Sequence, residues 1–177
     1  VNISGGIIEN NIAEDTDSDR FVTAGIMARS TKNGPVHIEM TGGEISNNIS
    51  CGQYSGGGGV WLCADSWTGG VYHQNKATMS MSGGAKIVNN TADYAGGGVF
   101  VYGNSEFTMD GGEISGNSVS DGFGGGVATY DYLKNTGMPD SYLSAWKQYV
   151  RAKFTMNGGQ ISNNQANQIH LAGDGGC

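Results

Sequence analysis

The segment FTMDGGEISGNSVSDGFGGGVATY, residues 107–130, contains three short runs in which apolar and polar residues alternate. Alternation with a period of two is typical of β-strands, because successive side chains point to opposite faces. Paired or tripled glycines separate the runs, and glycine accepts the positive φ that a tight bend requires. The segment therefore predicts three short strands joined by tight corners.

The same pattern occurs five times along the chain. The double-glycine run, or its equivalent, spans residues 5–13, 40–50, 81–92, 109–119 and 156–166. The third run spans residues 24–29, 57–63, 96–102, 124–130 and, without glycine, 167–172. Strands this short are not stable alone, but they become stable when each repeat is one coil of a solenoid. Parallel connections favour a right-handed path. We therefore predict an all-β fold, a single domain over residues 1–177 that forms a right-handed parallel β-helix of about five coils with three short strands per coil.

Stacking of the coils at about 4.8 Å places equivalent residues above one another. The predicted interior consists of three apolar columns: Ile8, Ile45, Ile87, Ile114 and Ile161; Met40, Met81, Met109 and Met156; and Ile26, Val60, Val99, Val127 and Ile169. A fourth column lies at one corner and consists of Asn11, Asn48, Asn90, Asn117 and Asn164. Stacked amides bond to each other and to turn backbone, so this column is predicted to be an asparagine ladder.

Composition excludes several classes of protein. The 32 glycines have no three-residue period and there are only 2 prolines, which excludes collagen. A hydrophobic fraction of 37% is too high for a disordered chain. The net charge of −7 argues against nucleic acid and anionic membrane surfaces as partners. No apolar run approaches the roughly 18 residues of a membrane span, so we predict no membrane insertion.

The cysteines give little information. Cys51, Cys63 and Cys177 form no C-x-x-C pair, so no zinc site is predicted. Two interpretations of their state remain open, a Cys51–Cys63 disulfide and free thiols.

Insertions interrupt the repeat at residues 13–23, 51–56, 64–76 and 131–153. The last two follow third strands and leave the same edge of the predicted solenoid, two coils apart. In the longest insertion, apolar residues recur at helical spacing after a candidate cap at Asp140 or Ser141; they are Tyr142, Leu143, Trp146, Tyr149 and Val150. This pattern predicts one inserted α-helix near 141–151.

The units MSGGAKIVNNTADYAGGGVFVYGN and FTMDGGEISGN…GGGVATY resemble right-handed parallel β-helix repeats of secreted and surface bacterial proteins, an architecture shared by the pectate-lyase-like superfamily. The resemblance covers about residues 4–12, 24–64, 78–131 and 152–172. It implies an extracellular or cell-surface location. The superfamily includes adhesins, polysaccharide lyases and glycoside hydrolases, among them β-helical lacto-N-biosidases, so the resemblance specifies fold more closely than function.

The outward positions of the third strands are unusually aromatic for a solvent face. Two interpretations are open: the inserted helix covers these rings and makes a second small core, or part of the row stays open and stacks against sugar rings. The second interpretation predicts carbohydrate as partner. Its candidate binding residues are Trp61, Phe100, Tyr102 and Tyr130 on the sheet, and Trp67, Tyr72, His73, Tyr132 and Trp146 in the insertions.

Two pairs of carboxylates occupy equivalent positions in different coils. Asp65 and Asp131 end third strands two coils apart, roughly 9–10 Å, at the upper limit of the spacing in inverting glycosidases. They are the candidate catalytic acid and base, unless they simply begin loops, as Asp often does. Asp93 and Asp121 fall about 5 Å apart on adjacent coils. They are either ordinary corner residues or two ligands of a Ca²⁺ ion, and no other cofactor is indicated.

Three functions remain open from the sequence. The favoured one is an extracellular glycan-interacting module; the others are a glycoside hydrolase, or half of one, and a structural stalk or adhesin segment. The segment NQIHLAGDGGC carries no polar cap for the last coil. Because uncovered strand edges invite pairing, we expect further coils, another domain or a partner chain at the C-terminal end.

Overall fold

The computed structural model describes residues 1–14, 22–64, 74–131 and 151–167, and the backbone alone of 67–68 and 71–72. These residues contain strands and no helix, which confirms the all-β class. The strands are β1 Asn2–Glu9, β2 Ile12–Glu14, β3 Ile26–Ser30, β4 Val36–Ser46, β5 Ile49–Cys51, β6 Val60–Ala64, β7 Trp67–Thr68, β8 Val71–Tyr72, β9 Ala77–Met81, β10 Lys86–Val88, β11 Thr91–Ala92, β12 Val99–Gly103, β13 Ser105–Ser115, β14 Ser118–Val119, β15 Val127–Tyr130, β16 Lys153–Ser162 and β17 Gln165–Ala166.

Most strands belong to three parallel sheets. Sheet A contains β1, β4, β9, β10, β13 and β16; sheet B contains β2, β5, β11, β14 and β17; sheet C contains β3, β6, β12 and β15. Within each sheet, strands pair in the order in which they occur in the chain. Each of the first four repeats therefore adds one layer to each sheet, and within the described residues the fifth adds one to sheets A and B. We number the layers as units 1 to 5. This stacking of parallel sheets is consistent with the predicted β-helix.

The division of each unit into strands differs from the prediction. The methionine run and the isoleucine run were expected as separate strands, yet they form one continuous strand in β4, β13 and β16. In these strands the second glycine of the pair has a positive φ, as at Gly43 and Gly112, so the strand bends without ending. In unit 3 the first glycine, Gly83, has the positive φ instead, and β9 and β10 are separate strands. The remaining sheet, sheet B, consists of two- or three-residue strands that directly follow the asparagine corner.

The register confirms the predicted interior columns. Ile45, Ile87 and Ile114 pair in succession, and so do Met40, Met81 and Met109. The third column also pairs as predicted, from Ile26 through Val60 and Val99 to Val127. Its last predicted member, Ile169, lies outside the described residues. Column members in units 2 and 3 are fully buried, so the core runs along the axis between the three sheets.

The asparagine ladder at the corner between sheets A and B is also confirmed. The ladder asparagines of units 1 to 4 each donate from Nδ2 to Oδ1 of the asparagine in the next unit, at 2.8–3.0 Å. In units 2 to 5, Nδ2 also donates to a backbone carbonyl, for example from Asn90 to Ile45. The preceding residue has a positive φ in every unit; it is Asn in four units and Gly116 in unit 4. The corner therefore turns in the same way at every level.

The predicted α-helix near 141–151 is not borne out. Residues 132–150 lie outside the described part of the chain, and Arg151 is not helical. In the insertion at 64–76, the backbone of β7 and β8 forms a two-stranded antiparallel ribbon with Trp67 opposite Tyr72. This ribbon follows β6 of sheet C in the chain.

Candidate functional site

An aromatic cluster covers the outside of sheet C and the corner between sheets B and C. We call it the aromatic strip, and it consists of Tyr54, Trp61, Tyr94, Phe100, Tyr102, Phe123 and Tyr130. Its rings contact one another across units 2, 3 and 4. Sheet C supplies part of the strip from outward positions on β6, β12 and β15, and the corner loops supply the rest.

The inner rings of the aromatic strip, Trp61, Phe100 and Tyr102, are buried, and we call them its floor. Trp61 and Phe100 are 0% and 2% exposed, and their ring centroids lie 5.5 Å apart. Tyr102 packs against both rings, at 6.0 Å from Trp61 and 5.6 Å from Phe100. A ring without exposed surface cannot stack on a sugar, so burial favours the second-core interpretation for Trp61 and Phe100.

Four rings of the aromatic strip are partly exposed, and we call them its rim: Tyr54, Tyr94, Phe123 and Tyr130. Tyr54 and Tyr130 are 39% and 42% exposed, and Tyr94 and Phe123 between them are half-buried. Successive ring centroids along this rim are 6.3, 5.5 and 6.3 Å apart. Tyr130 also stacks on Tyr102 with an interplanar angle of 12°. The rim therefore presents a continuous row of ring edges and faces to solvent.

The glycines of the corner allow the rings to lie against the backbone. A Cβ on Gly56 would lie only 2.3 Å from the Phe100 ring, and one on Gly96 would lie 2.7 Å from Phe100 Cβ. Gly56, Ala95 and Phe123 are joined in register by isolated parallel bridges. Because the glycines before the third strands lack a Cβ, Phe100 of the aromatic strip packs directly against their backbone.

The rim includes three residues that the sequence analysis missed: Tyr54, Tyr94 and Phe123. Each lies within two residues of the start of the glycine run of its unit, in YSGGGGV, YAGGGV and FGGGV, although the three do not share one register position. That proximity to the glycine run was the available signal. Alternation identifies outward rings on strands and gives no information on rings at corners.

Tyr94 lies at the centre of the rim and has a raised pKa. The chief cause is burial, and the neighbouring Tyr130 and Tyr54 hydroxyls add to it. Desolvation disfavours the charged phenolate, so the Tyr94 hydroxyl stays protonated at neutral pH. It therefore remains a hydrogen-bond donor as well as an acceptor.

Asp131 has a structural contact at the end of sheet C. Its Oδ1 accepts a 2.7 Å hydrogen bond from the backbone N–H of Ala152 and ties together the two ends of the longest insertion. The side chain is exposed and directly follows Tyr130. Its predicted partner Asp65 lies outside the described residues, so the catalytic assignment of the pair stays a prediction.

Asp93 and Asp121 are neighbours on adjacent units, as predicted. The backbone N–H of Asp121 donates to the carbonyl oxygen of Asp93 at 2.9 Å. Asp93 Oδ2 accepts from the backbone N–H of Gly52 at 2.9 Å, which links units 2 and 3. The described residues contain no group of three or more His, Cys, Asp or Glu able to hold a metal. The Ca²⁺ site therefore stays a prediction.

No disulfide joins Cys51 and Cys63, which lie on β5 and β6 in different sheets. The third cysteine, Cys177, is outside the described part of the chain. The pKa of the Cys51 thiol is raised, chiefly by burial, then by the negative charges of Asp93 and Glu14. This thiol is therefore less ionised, and less nucleophilic at neutral pH, than an ordinary cysteine.

The other predicted binding residues stay predictions. The side chains of Trp67, Tyr72, His73, Tyr132 and Trp146 all fall outside the described residues. Across the ranges given above, no helix is long and apolar enough to cross a membrane. Comparison of the chain with protein-family models, with curated proteins and with solved structures finds no match.

Proposed function

We propose that this chain is a glycan-interacting module of a secreted or cell-surface bacterial protein, built as a right-handed parallel β-helix. The observation that carries the proposal is the exposed rim of the aromatic strip, formed by Tyr54, Tyr94, Phe123 and Tyr130. Aromatic faces suit the flat C–H-rich surfaces of sugar rings, and tyrosine adds a hydroxyl that bonds to sugar hydroxyls.

The continuity of the rim supports recognition of a chain of sugars. Single exposed apolar residues are ordinary on protein surfaces, whereas a contiguous row often marks a binding surface. Here the row crosses units 2 to 4, and each step follows the stacking of one unit on the next. The buried floor of Trp61 and Phe100 holds the rim rings in place, so little ordering is required on binding.

Exposed carboxylates flank the rim. Asp121 precedes Phe123 by two residues, and Asp131 directly follows Tyr130; both are exposed. Carboxylate oxygens accept hydrogen bonds from sugar hydroxyls. The position of Asp131 beside the rim is the observation that keeps glycoside hydrolysis, with Asp65 as its partner, as the second candidate function.

The test is a glycan array in which bound glycans are identified and any products are followed by mass spectrometry. We expect binding by the unchanged chain and at least a tenfold loss in Tyr94→Ala and Tyr130→Ala. Ile7→Ala is the matched control, because Ile7 is a large exposed apolar residue on β1, outside the aromatic strip. Equal binding by all four proteins would overturn the proposed site.

Hydrolysis is tested in the same wells. Product that disappears in Asp131→Asn, while binding is retained, would establish the enzyme. Binding without product would leave a recognition module, and neither binding nor product would favour a structural segment.

A further inference from the structure

The ring planes of the rim change direction from one ring to the next. Tyr54 and Tyr94 are inclined at 69° to each other, and Tyr94 and Phe123 are inclined at 77°. The step from Phe123 to Tyr130 has an interplanar angle of 40°. Neighbouring rim rings therefore do not share a plane, and the rim is not a flat platform.

The packing beneath the rim fixes these ring directions. Phe123 lies at 84° to the buried ring of Phe100, with the centroids 6.3 Å apart. Tyr94 and Phe123 both pack against the buried cluster that contains Trp61 and Phe100. Edge-to-face contact is a preferred geometry of aromatic pairs, so turning the rim rings into one plane would lose these contacts.

The first three rim rings come from successive units. Tyr54, Tyr94 and Phe123 belong to units 2, 3 and 4, and their centroids are 6.3 and 5.5 Å apart. A separation of this size is close to the length of one pyranose unit in an extended chain. In a free chain, neighbouring sugars turn relative to one another about the glycosidic bonds, so each can meet a ring that faces a different direction.

A crystalline polysaccharide presents a different surface. The sugars of an exposed crystal face lie in one plane, so stacking on that face requires rings that are coplanar. Its hydroxyls are also bonded largely to neighbouring chains. The protonated Tyr94 hydroxyl and the exposed carboxylates of Asp121 and Asp131 bond best to sugar hydroxyls that are in water.

We propose that the rim binds a single hydrated glycan chain, with successive sugars against Tyr54, Tyr94 and Phe123, and discriminates against the flat face of crystalline polysaccharide. This inference rests on the proposed function and adds the physical form of the ligand.

The experiment compares polysaccharides that exist in both forms. Affinity gel electrophoresis uses hydroxyethylcellulose, glycol chitin and galactomannan, and depletion from solution uses microcrystalline cellulose, crystalline chitin and crystalline mannan. We expect binding to a soluble form and binding weaker by about tenfold or more to its crystalline counterpart. Any glycan found on the array outside this panel is titrated in solution as a free oligosaccharide, which should also bind.

Two variants test the contribution of the central rings. Phe123→Ala removes a ring and should weaken binding of the soluble chain by about tenfold. Phe123→Tyr keeps the ring and its packing, so it should bind as the unchanged chain does. Far-UV circular dichroism verifies that each variant is folded; if Phe123→Ala is not, Tyr54→Ala replaces it, because Tyr54 is 39% exposed.

Failure of the inference and failure of the proposed function give different results. Stronger binding to a crystalline form than to its soluble counterpart would overturn the inference and leave a glycan-interacting module. So would a glycan that binds when densely immobilised on the array but not as a free oligosaccharide. If no glycan binds on the array, in the gels or in the depletion assay, the proposed function fails and the inference fails with it.

Discussion

The two corners that flank sheet B are built on different principles. The asparagine corner, between sheets A and B, repeats one side chain and one set of hydrogen bonds through all five units. The glycine corner, between sheets B and C, has at least one glycine in units 1 to 4, but the residues beside the glycines change from unit to unit. Side-chain hydrogen bonds thus hold the units in register at the asparagine corner, whereas the residues that differ between units lie at the glycine corner.

Hydrogen bonding explains the difference. At the glycine corner the backbone N–H groups donate to backbone carbonyls of the next unit, as from Gly57 to Ala95 and from Gly96 to Phe123. Side chains there can vary without leaving a buried polar group unpaired. At the asparagine corner the side chain itself completes the backbone, so a residue without an amide would leave buried donors unsatisfied.

The largest effect is expected when the ladder is broken in its middle. Asn90 is fully buried; its Oδ1 accepts from Asn48 N–H and Nδ2, and its Nδ2 donates to Ile45 O. Asn90→Ala leaves these groups without partners, and we expect a loss of roughly 3–5 kcal/mol in the free energy of unfolding. Urea denaturation followed by circular dichroism measures it.

The matched variant for this prediction is Asn11→Ala at the open end of the ladder. Asn11 is exposed, so water replaces its bonds, and the loss should stay below about 1 kcal/mol. If both variants lost the same free energy of unfolding, burial of the amide would not be the reason that the ladder stabilises the fold.

The second effect concerns the glycine corner. A Cβ on Gly98 would lie 2.5 Å from Gly126 O and 3.0 Å from Asn117 Nδ2. Gly98→Ala should therefore destabilise the fold by about 1–3 kcal/mol, since the backbones of adjacent units must separate. Gly84→Ala is the control: nothing lies within 4 Å of its Cβ position, and a change within about 0.5 kcal/mol is expected. Thermal unfolding of both variants measures the two changes in stability.

The parts of the fold that repeat could be predicted from the sequence. Spacing alone identified the isoleucine, methionine and valine columns and the asparagine ladder, because stacking forces equivalent residues into register. Sheet B was not predicted, since a strand of two residues such as Thr91–Ala92 contains too few positions to show alternation. The sequence also did not show that the methionine run and the isoleucine run form one strand, β13, because a glycine pair is equally typical of a bend and of a strand end.

The candidate site was only partly predictable. Outward positions of Trp61, Phe100, Tyr102 and Tyr130 follow from alternation, but alternation carries no information on what covers a face. Burial of Trp61 depends on contacts from other units and segments. The rim rings Tyr94 and Phe123 come from corners, where no periodicity applies. The site therefore arises from the least periodic part of the repeat.

The third effect separates binding from stability at the glycine corner. Tyr54 contacts Tyr94 edge to face and is partly exposed, so Tyr54→Ala should cost no more than about 1 kcal/mol in unfolding free energy. The same variant should lose affinity for any glycan found on the array, because one end of the rim is removed. A large loss of stability together with full glycan binding would contradict the assignment of Tyr54 to a binding surface.

The smallest effect is a change in thiol reactivity where sheet B meets the glycine corner. Asp93 accepts the Gly52 N–H directly after Cys51, and its charge, after burial, helps to raise the pKa of the Cys51 thiol. Asp93→Asn keeps an amide oxygen for that bond but removes the charge. The pKa of Cys51 should fall, the thiolate fraction at mildly alkaline pH should rise, and iodoacetamide should react faster.

Peptide mapping by mass spectrometry reads the rate at Cys51 separately from the other cysteines. Asp121→Asn is the control, because it makes the same charge change one unit further along and is not among the causes of the Cys51 shift. In the unchanged chain the rate should increase as the pH rises toward the thiol pKa. If Asp93→Asn and Asp121→Asn accelerate the reaction equally, general charge rather than the local corner controls Cys51. A specific effect of Asp93 would show that the charge of one side chain beside the glycine corner controls the reactivity of Cys51.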